Sequence, residues 1–134
     1  MAHVIVVEDD ATNARVAQRV LARMGGHDVT VTEDGDEVLR LCEAGAADLV
    51  IMDVSLADTS ADGRRVDGAA LARLIRERCG KHSPPILLVT AHAMRGDRAR
   101  LLAASGADDY ICKPIMDHRA LVDLVEALLM RRAA

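Results

Sequence analysis

The chain contains no Phe and no Trp, and Tyr110 is its single aromatic residue. Recognition of unpaired bases by aromatic stacking therefore has almost no side chains to work with. Positive charge is not in surplus either: 21 acidic residues against 17 Lys and Arg give a formal charge of −4. A general binder of phosphate backbones is disfavoured, and no nucleic acid is expected among the partners. No apolar run approaches the roughly 18–20 residues that cross a bilayer, so no membrane is expected. The start, Met1-Ala2-His3, lacks a positive segment and is soon followed by Glu8-Asp9-Asp10, which disfavours a secretory signal. The three cysteines, Cys42, Cys79 and Cys112, are odd in number and form no CxxC pair. Reduced thiols in the cytoplasm are the simplest expectation. Glycine-rich phosphate loops are missing too, so a flavin or nucleotide cradled by backbone amides is not indicated.

What is present is a chain of 134 residues, 51% hydrophobic and 28% charged. That suits one folded domain with a core of Leu, Val, Ile, Ala and Met. Residues 3–7, 49–52 and 86–89 are short, unbroken apolar runs, the pattern of strands buried on both faces of a parallel sheet. Residues 28–32 alternate and residues 110–112 are brief, which suits sheet edges. Helical stripes fill the gaps: Val16, Val20, Leu21 and Met24; Val38, Leu41 and Cys42; Leu71, Leu74 and Ile75; a short segment at 98–104; and Leu121, Leu124, Val125 and Leu128. Five strand–helix repeats predict an α/β fold with a doubly wound parallel sheet. With the strong strands central, the order is 2-1-3-4-5, the flavodoxin-like (βα)5 arrangement. A single domain over 1–134 is expected, with no output domain.

In such folds ligands sit at the carboxyl ends of the strands. Strand 1 ends at Glu8-Asp9-Asp10, strand 3 at Asp53, strand 4 at Thr90-Ala91 and strand 5 at Lys113-Pro114. Carboxylates about 5 Å apart repel by roughly 3 kcal/mol at an effective dielectric near 20. Lys113 offsets only part of that repulsion. An all-oxygen donor set in an open cleft favours a hard divalent cation, Mg²⁺.

This ordered set, with Gly106-Ala107-Asp108-Asp109-Tyr110 before the last lysine, resembles the receiver domain of two-component response regulators, over essentially the whole chain. In form it resembles single-domain members of the CheY and DivK kind. The resemblance implies that Asp53 is the phosphoacceptor. It implies Mg²⁺ held by Asp9, Asp53 and the backbone carbonyl of Ser55, with Glu8 acting through water. It further implies that Thr90, the Ala91 backbone and Lys113 bind the phosphoryl group, and that the Lys113-Pro114 peptide is cis. Thr90 and Tyr110 would form the switch, Tyr110 filling the space that Thr90 leaves. The alternative for Tyr110 is plain edge-strand packing. A sensor histidine kinase or histidine phosphotransfer protein would be the donor. A downstream protein would bind the face of helix 4, strand 5 and helix 5.

The stretch 57–66 departs from the pattern. A receiver passes from the acceptor through Leu-Pro to a Gly opening helix 3; here Leu56 is followed by Ala57, and Gly68 comes late. The segment is polar and Gly-containing, which predicts a mobile loop that either gates the site or is a tolerated surface insertion. Asp58 to Gly63 mimics the start of a calcium loop, but Ala69 stands where a bidentate Glu is required. Asp10 either tunes the metal or begins helix 1. Ser55 and His92 occupy positions that influence phosphate lifetime in the family. Cys112 reads as buried strand filling. Two other functions compete. A haloacid-dehalogenase-like phosphatase needs a second Asp two residues after the nucleophile, where this chain has Ser55. A receiver-shaped adaptor that is never phosphorylated has no need of the intact acid set.

Overall fold

A computed structural model of the chain describes residues 2–91 and 97–133. Its elements are β1 (His3–Val7), α1 (Ala11–Arg23), β2 (Asp28–Thr32), α2 (Gly35–Glu43), β3 (Leu49–Asp53), the short β4 (Ser60–Ala61) and β5 (Arg64–Arg65), α3 (Gly68–Cys79), β6 (Ile86–Thr90), α4 (Asp97–Ser105), β7 (Asp109–Cys112) and α5 (His118–Ala133). Five strands form one parallel sheet in the order β2-β1-β3-β6-β7. With the small β4–β5 pair set aside, this is the predicted 2-1-3-4-5 order.

Side chains alternate across the pleats. Ile5, Val7, Val50, Met52, Ile86 and Leu88 face one layer, packed with Val38, Leu39, Leu71 and Ile75 of α2 and α3. Val4, Val6, Leu49, Ile51, Leu87 and Val89 face the other, packed with Val20, Leu21, Leu121, Val125 and Leu128 of α1 and α5. Burial on both sides is why the central strands are unbroken apolar runs. Each fully buried aliphatic side chain contributes about 1.5–3 kcal/mol. Without aromatics, the core is assembled from many such modest contributions.

Four helices that leave the carboxyl edge of the sheet, α1, α2, α3 and α5, share a starting device. Asp10, Asp34, Asp67 and Asp117 each accept from a backbone N–H in the first turn of the following helix. Such caps stabilise a helix by about 1 kcal/mol. At the opposite edge Arg76 of α3 donates to the carbonyls of Pro84 and Gly106 and to Asp108. It thereby fastens the segments that lead into β6 and β7.

Some expected burials differ. Val16 and Met24 are 36% and 44% exposed, because α5 and the sheet cover only the Val20–Leu21 side of α1. Leu39, outside the expected stripe, is buried. Cys112 is exposed rather than buried, since it ends an edge strand that has no neighbour beyond it.

The stretch 57–66 is not a free loop. Asp62 and Gly63, with φ of 54° and 73°, turn the chain between β4 and β5. An Asp-Gly pair with both φ positive is the favoured tight hairpin turn. The hairpin docks on α2 and the turn before it: Thr59 Oγ1 donates to the Glu33 carbonyl at 2.9 Å, and the Asp62 N–H donates to Asp36 at 3.0 Å. Arg78 of α3 pairs with both Asp62 and Glu43. Thr59 and Ala61 are almost fully buried. Gly35 leaves room for this contact, since a Cβ there would lie 2.5 Å from the Ser60 carbonyl oxygen.

Gly68 has a similar role beside the candidate site. A Cβ on it would lie 2.0 Å from the Asp53 carbonyl oxygen. Gly68→Ala must push α3 away from the end of β3. The expected loss is about 1–3 kcal/mol of stability, read as a lower urea midpoint with an unchanged slope.

Candidate functional site

The carboxyl edge of the sheet collects side chains from four strand ends. Glu8 and Asp9 follow β1, Asp53 closes β3, Thr90 closes β6 and Lys113 follows β7. One carboxylate oxygen from each of Glu8, Asp9 and Asp53 lies within 4.8 Å of the others. Lys113 Nζ lies 3.0 Å from Glu8 Oε1 and 3.0 Å from Asp53 Oδ2. Backbone donors take up further lone pairs. The Ser55 N–H donates to Asp53 Oδ1 at 3.1 Å, the Asp9 N–H to Glu8 Oε2 at 3.1 Å, and the Ala57 N–H to Asp9 Oδ2 at 3.0 Å. The Lys113 N–H donates to the Thr90 carbonyl at 2.7 Å, which ties the lysine loop to β6. The Lys113-Pro114 peptide is cis.

Burial makes this charge set costly. The Glu8 and Asp53 side chains are 7% and 3% exposed, whereas Asp9 is more open to solvent. Burial, reinforced by the neighbouring Asp53, raises the Glu8 carboxyl to about 7 despite Lys113. Burial also pushes Asp53 upward, but hydrogen bonds from Glu8, Lys113 and the Ser55 N–H outweigh it and hold the group below its ordinary value. Burial works against the Lys113 ammonium, yet Asp53 and Glu8 together hold it above its ordinary range. A proton on Glu8 thus balances charge that Lys113 leaves uncompensated. A hard cation would do the same. Three convergent carboxylates at a partly wet edge are a donor set that fits Mg²⁺. Among the described residues this is the one cluster of three candidate ligands.

The remaining predicted residues fall as follows. Thr90 is 4% exposed and Ala91, just beyond it, is exposed. Tyr110 is half-buried and pairs in register with Leu88, so it shares a face of the sheet with Thr90, two residues further on. The Arg98 guanidinium sits 5.8 Å from the Tyr110 ring centroid and pairs with Asp109. Asp10 stands outside the three-carboxylate group and caps α1. His92 lies outside the described residues. Sequence reasoning missed the Ala57 N–H, since a backbone donor leaves no residue-type signal. It also missed a cavity of about 140 Å³ beside Asp53 and Lys113, lined by Asn13, Val16, Pro114 and Ile115.

A family model for the response regulator receiver domain matches residues 4–126. The chain belongs to this family. The receiver is 31% identical over 116 residues to the Escherichia coli histidine-protein kinase BarA, covering 87% of this chain and 12% of BarA. It is 35% identical over 130 residues to the Escherichia coli transcriptional regulatory protein TorR, covering 96% of this chain and 50% of TorR. The receiver thus spans half or less of these curated relatives. Among solved structures, a CheY-like receiver domain protein from Methanospirillum hungatei superposes with a TM-score of 0.78 at 21% identity, covering 99% of this chain and 97% of that one. The Francisella response regulator 1452 receiver domain gives 0.79 at 24% identity, covering 98% of each chain. At such identities these likenesses concern the fold. The matched family is neither the dehalogenase-type phosphatase nor a nucleotide binder. Receivers are signalling domains of two-component systems rather than conventional enzymes. No helix among the described residues is long and apolar enough to cross a membrane.

The raised Glu8 pKa has a measurable sign. The folded protein keeps the Glu8 proton up to about pH 7, while the unfolded chain releases it near 4.5. Between those values the folded state binds more protons, so stability falls as pH rises. Asp53, held below its ordinary 3.8, is largely ionised in both states across that window and adds little slope. In chelator, stability is expected to drop by on the order of 2 kcal/mol from pH 4.5 to 7. Glu8→Gln is expected to flatten that drop in urea titrations at several pH values.

Proposed function

We propose that this receiver takes a phosphoryl group on Asp53 from a phosphohistidine and signals through phosphorylation-dependent protein binding. The observation that carries the reading is Lys113 Nζ at 3.0 Å from Asp53 Oδ2, beside two further carboxylates. Glu8, Asp9, Asp53 and the Ser55 carbonyl would hold Mg²⁺, which when bound neutralises charge on the transferring oxygens.

The chain's own groups do the rest. Asp53 is kept ionised by Lys113, Glu8 and the Ser55 N–H, so an oxygen lone pair is ready to attack phosphorus. As the O–P bond forms, the P–N bond breaks and its electron pair returns to the donor imidazole. Lys113 follows the charge onto the phosphoryl oxygens. The Thr90 hydroxyl, at the end of β6, is the donor suited to those oxygens. The acyl phosphate adds about one to two negative charges at one buried point. Thr90 moving toward that charge would leave space on the face it shares with Tyr110. We read Tyr110 as the side chain that fills it, drawing away from Arg98 and altering the surface of α4, β7 and α5.

A sensor histidine kinase or histidine phosphotransfer protein is the proposed donor. The cavity lined by Val16, Pro114 and Ile115 lies beside Asp53, and Met116, next in sequence to Ile115, is exposed. This gives a donor an apolar surface within reach of the acceptor. The free thiols of Cys42, Cys79 and Cys112 suit the cytoplasm. The position two residues after Asp53 is Ser55, which supplies no general acid for phosphatase turnover.

Incubation with Mg²⁺ and acetyl phosphate is expected to add one phosphoryl group by intact mass, lost in Asp53→Asn and in chelator. Lys113→Met is expected to slow the reaction on the order of 100-fold. An unmodified wild-type chain, or modification that survives Asp53→Asn, would sink the proposal.

A further inference from the structure

The extension after β3 returns to the carboxylate cluster through one backbone group. The Ala57 N–H donates to Asp9 Oδ2 at 3.0 Å, across 48 positions of sequence. Ala57 stands where the receiver pattern has Pro, and Pro has no N–H to give. A bond from an N–H to an ionised carboxylate is charge-assisted and directional. It fixes the rotation of a side chain that packing does not: Asp9 is the most solvent-facing of the three acids.

The donor is itself held. Leu56, beside it, is buried in the core. Beyond it the Val66 N–H donates to the Thr59 carbonyl at 2.9 Å and closes the base of the β4–β5 hairpin. Thr59 anchors that hairpin to the β2–α2 turn through Glu33 and Asp62 anchors it to α2 through Asp36, and Arg78 grips it from α3. The Gly68 N–H donates to the Val54 carbonyl at 3.0 Å, closing the far end of the extension onto the residue after Asp53. The whole insertion is therefore a braced loop with one polar group aimed at the acids.

We propose that the inserted hairpin is a positioning clamp, presenting the Ala57 N–H to Asp9 so that this carboxylate is pre-oriented for Mg²⁺. The clamp rests on the reading of Glu8, Asp9 and Asp53 as the Mg²⁺ ligands. A ligand already oriented by an outer hydrogen bond loses less freedom on coordination. Removal of such outer partners weakens metal binding by about 10–100-fold.

The test is calorimetric titration of Mg²⁺ into the full chain and its variants, with melting in chelator as a separate report on folding. Ala57→Pro, which deletes the N–H, is expected to bind at least about tenfold more weakly. Ala57→Gly, which keeps it, is expected to bind within about twofold of wild type. Equal affinity of Ala57→Pro and wild type overturns the clamp, as does a Gly variant as weak as the Pro variant. If Ala57→Pro does not fold, Thr59→Val takes its place, because it cuts the hairpin's anchor to Glu33. The same loss is expected, and an unchanged affinity overturns the proposal. A wild-type chain that takes up no Mg²⁺ overturns the ligand assignment itself, and the clamp with it.

Discussion

Everything at the carboxyl edge of the sheet answers one electrostatic constraint: Glu8, Asp9 and Asp53 converge around a single ammonium. Left alone, such a cluster would pull the strand ends apart. Lys113 binds two of the acids directly, and its own backbone N–H is tied to β6, so the cation cannot drift from its partners without disturbing the sheet. Backbone donors from the β1–α1 and β3–α3 turns occupy further oxygens, and a proton on Glu8 relieves what is left. The result is two neighbouring acids pushed in opposite directions: burial and the adjacent Asp53 raise Glu8, while hydrogen bonds from Glu8, Lys113 and the Ser55 N–H outweigh burial and lower Asp53.

Much of this was legible in the sequence because the fold has strict rules. A strand buried on both faces has to be apolar along its length, and β1, β3 and β6 are, apart from His3 at the start of β1 and Asp53 and Thr90 at the ends of β3 and β6. Once three such strands are central, the topology brings Glu8, Asp9, Asp53, Thr90 and Lys113 to one edge, although they lie far apart in sequence. What escaped the reading depends on context that residue type does not encode. Val16 and Met24 obey the helical period but lie where no second layer covers them. Cys112 sits on a strand whose outer side has no neighbour. The Ala57 N–H is common to every residue but proline, and its partner is known only once the chain has folded.

The stretch 57–66 holds a hairpin that its sequence pattern did not announce. Its polarity and its glycine suggested mobility, yet Asp62-Gly63 is a strong hairpin signal in its own right. The flanking strands are two residues each and carry no apolar alternation, so the periodic signal was absent. The hairpin is stable because α2 and α3 hold it, not because it pairs well with itself. Thr59 and Ala61 are buried against those helices, and Gly35 has no side chain to obstruct them. An insertion next to the site is thus absorbed without displacing any of the strand ends that carry the acids.

The absence of other aromatics has an optical consequence. Tyr110 is the sole fluorophore of its class, and it sits half-buried on an edge strand beneath the Arg98 guanidinium. In most proteins ultraviolet emission averages many rings scattered through the interior. Here every photon absorbed by an aromatic side chain reports on a single location, at the rim furthest from β2. The unmodified molecule carries its own one-site spectroscopic probe, requiring neither an introduced tryptophan nor an attached dye.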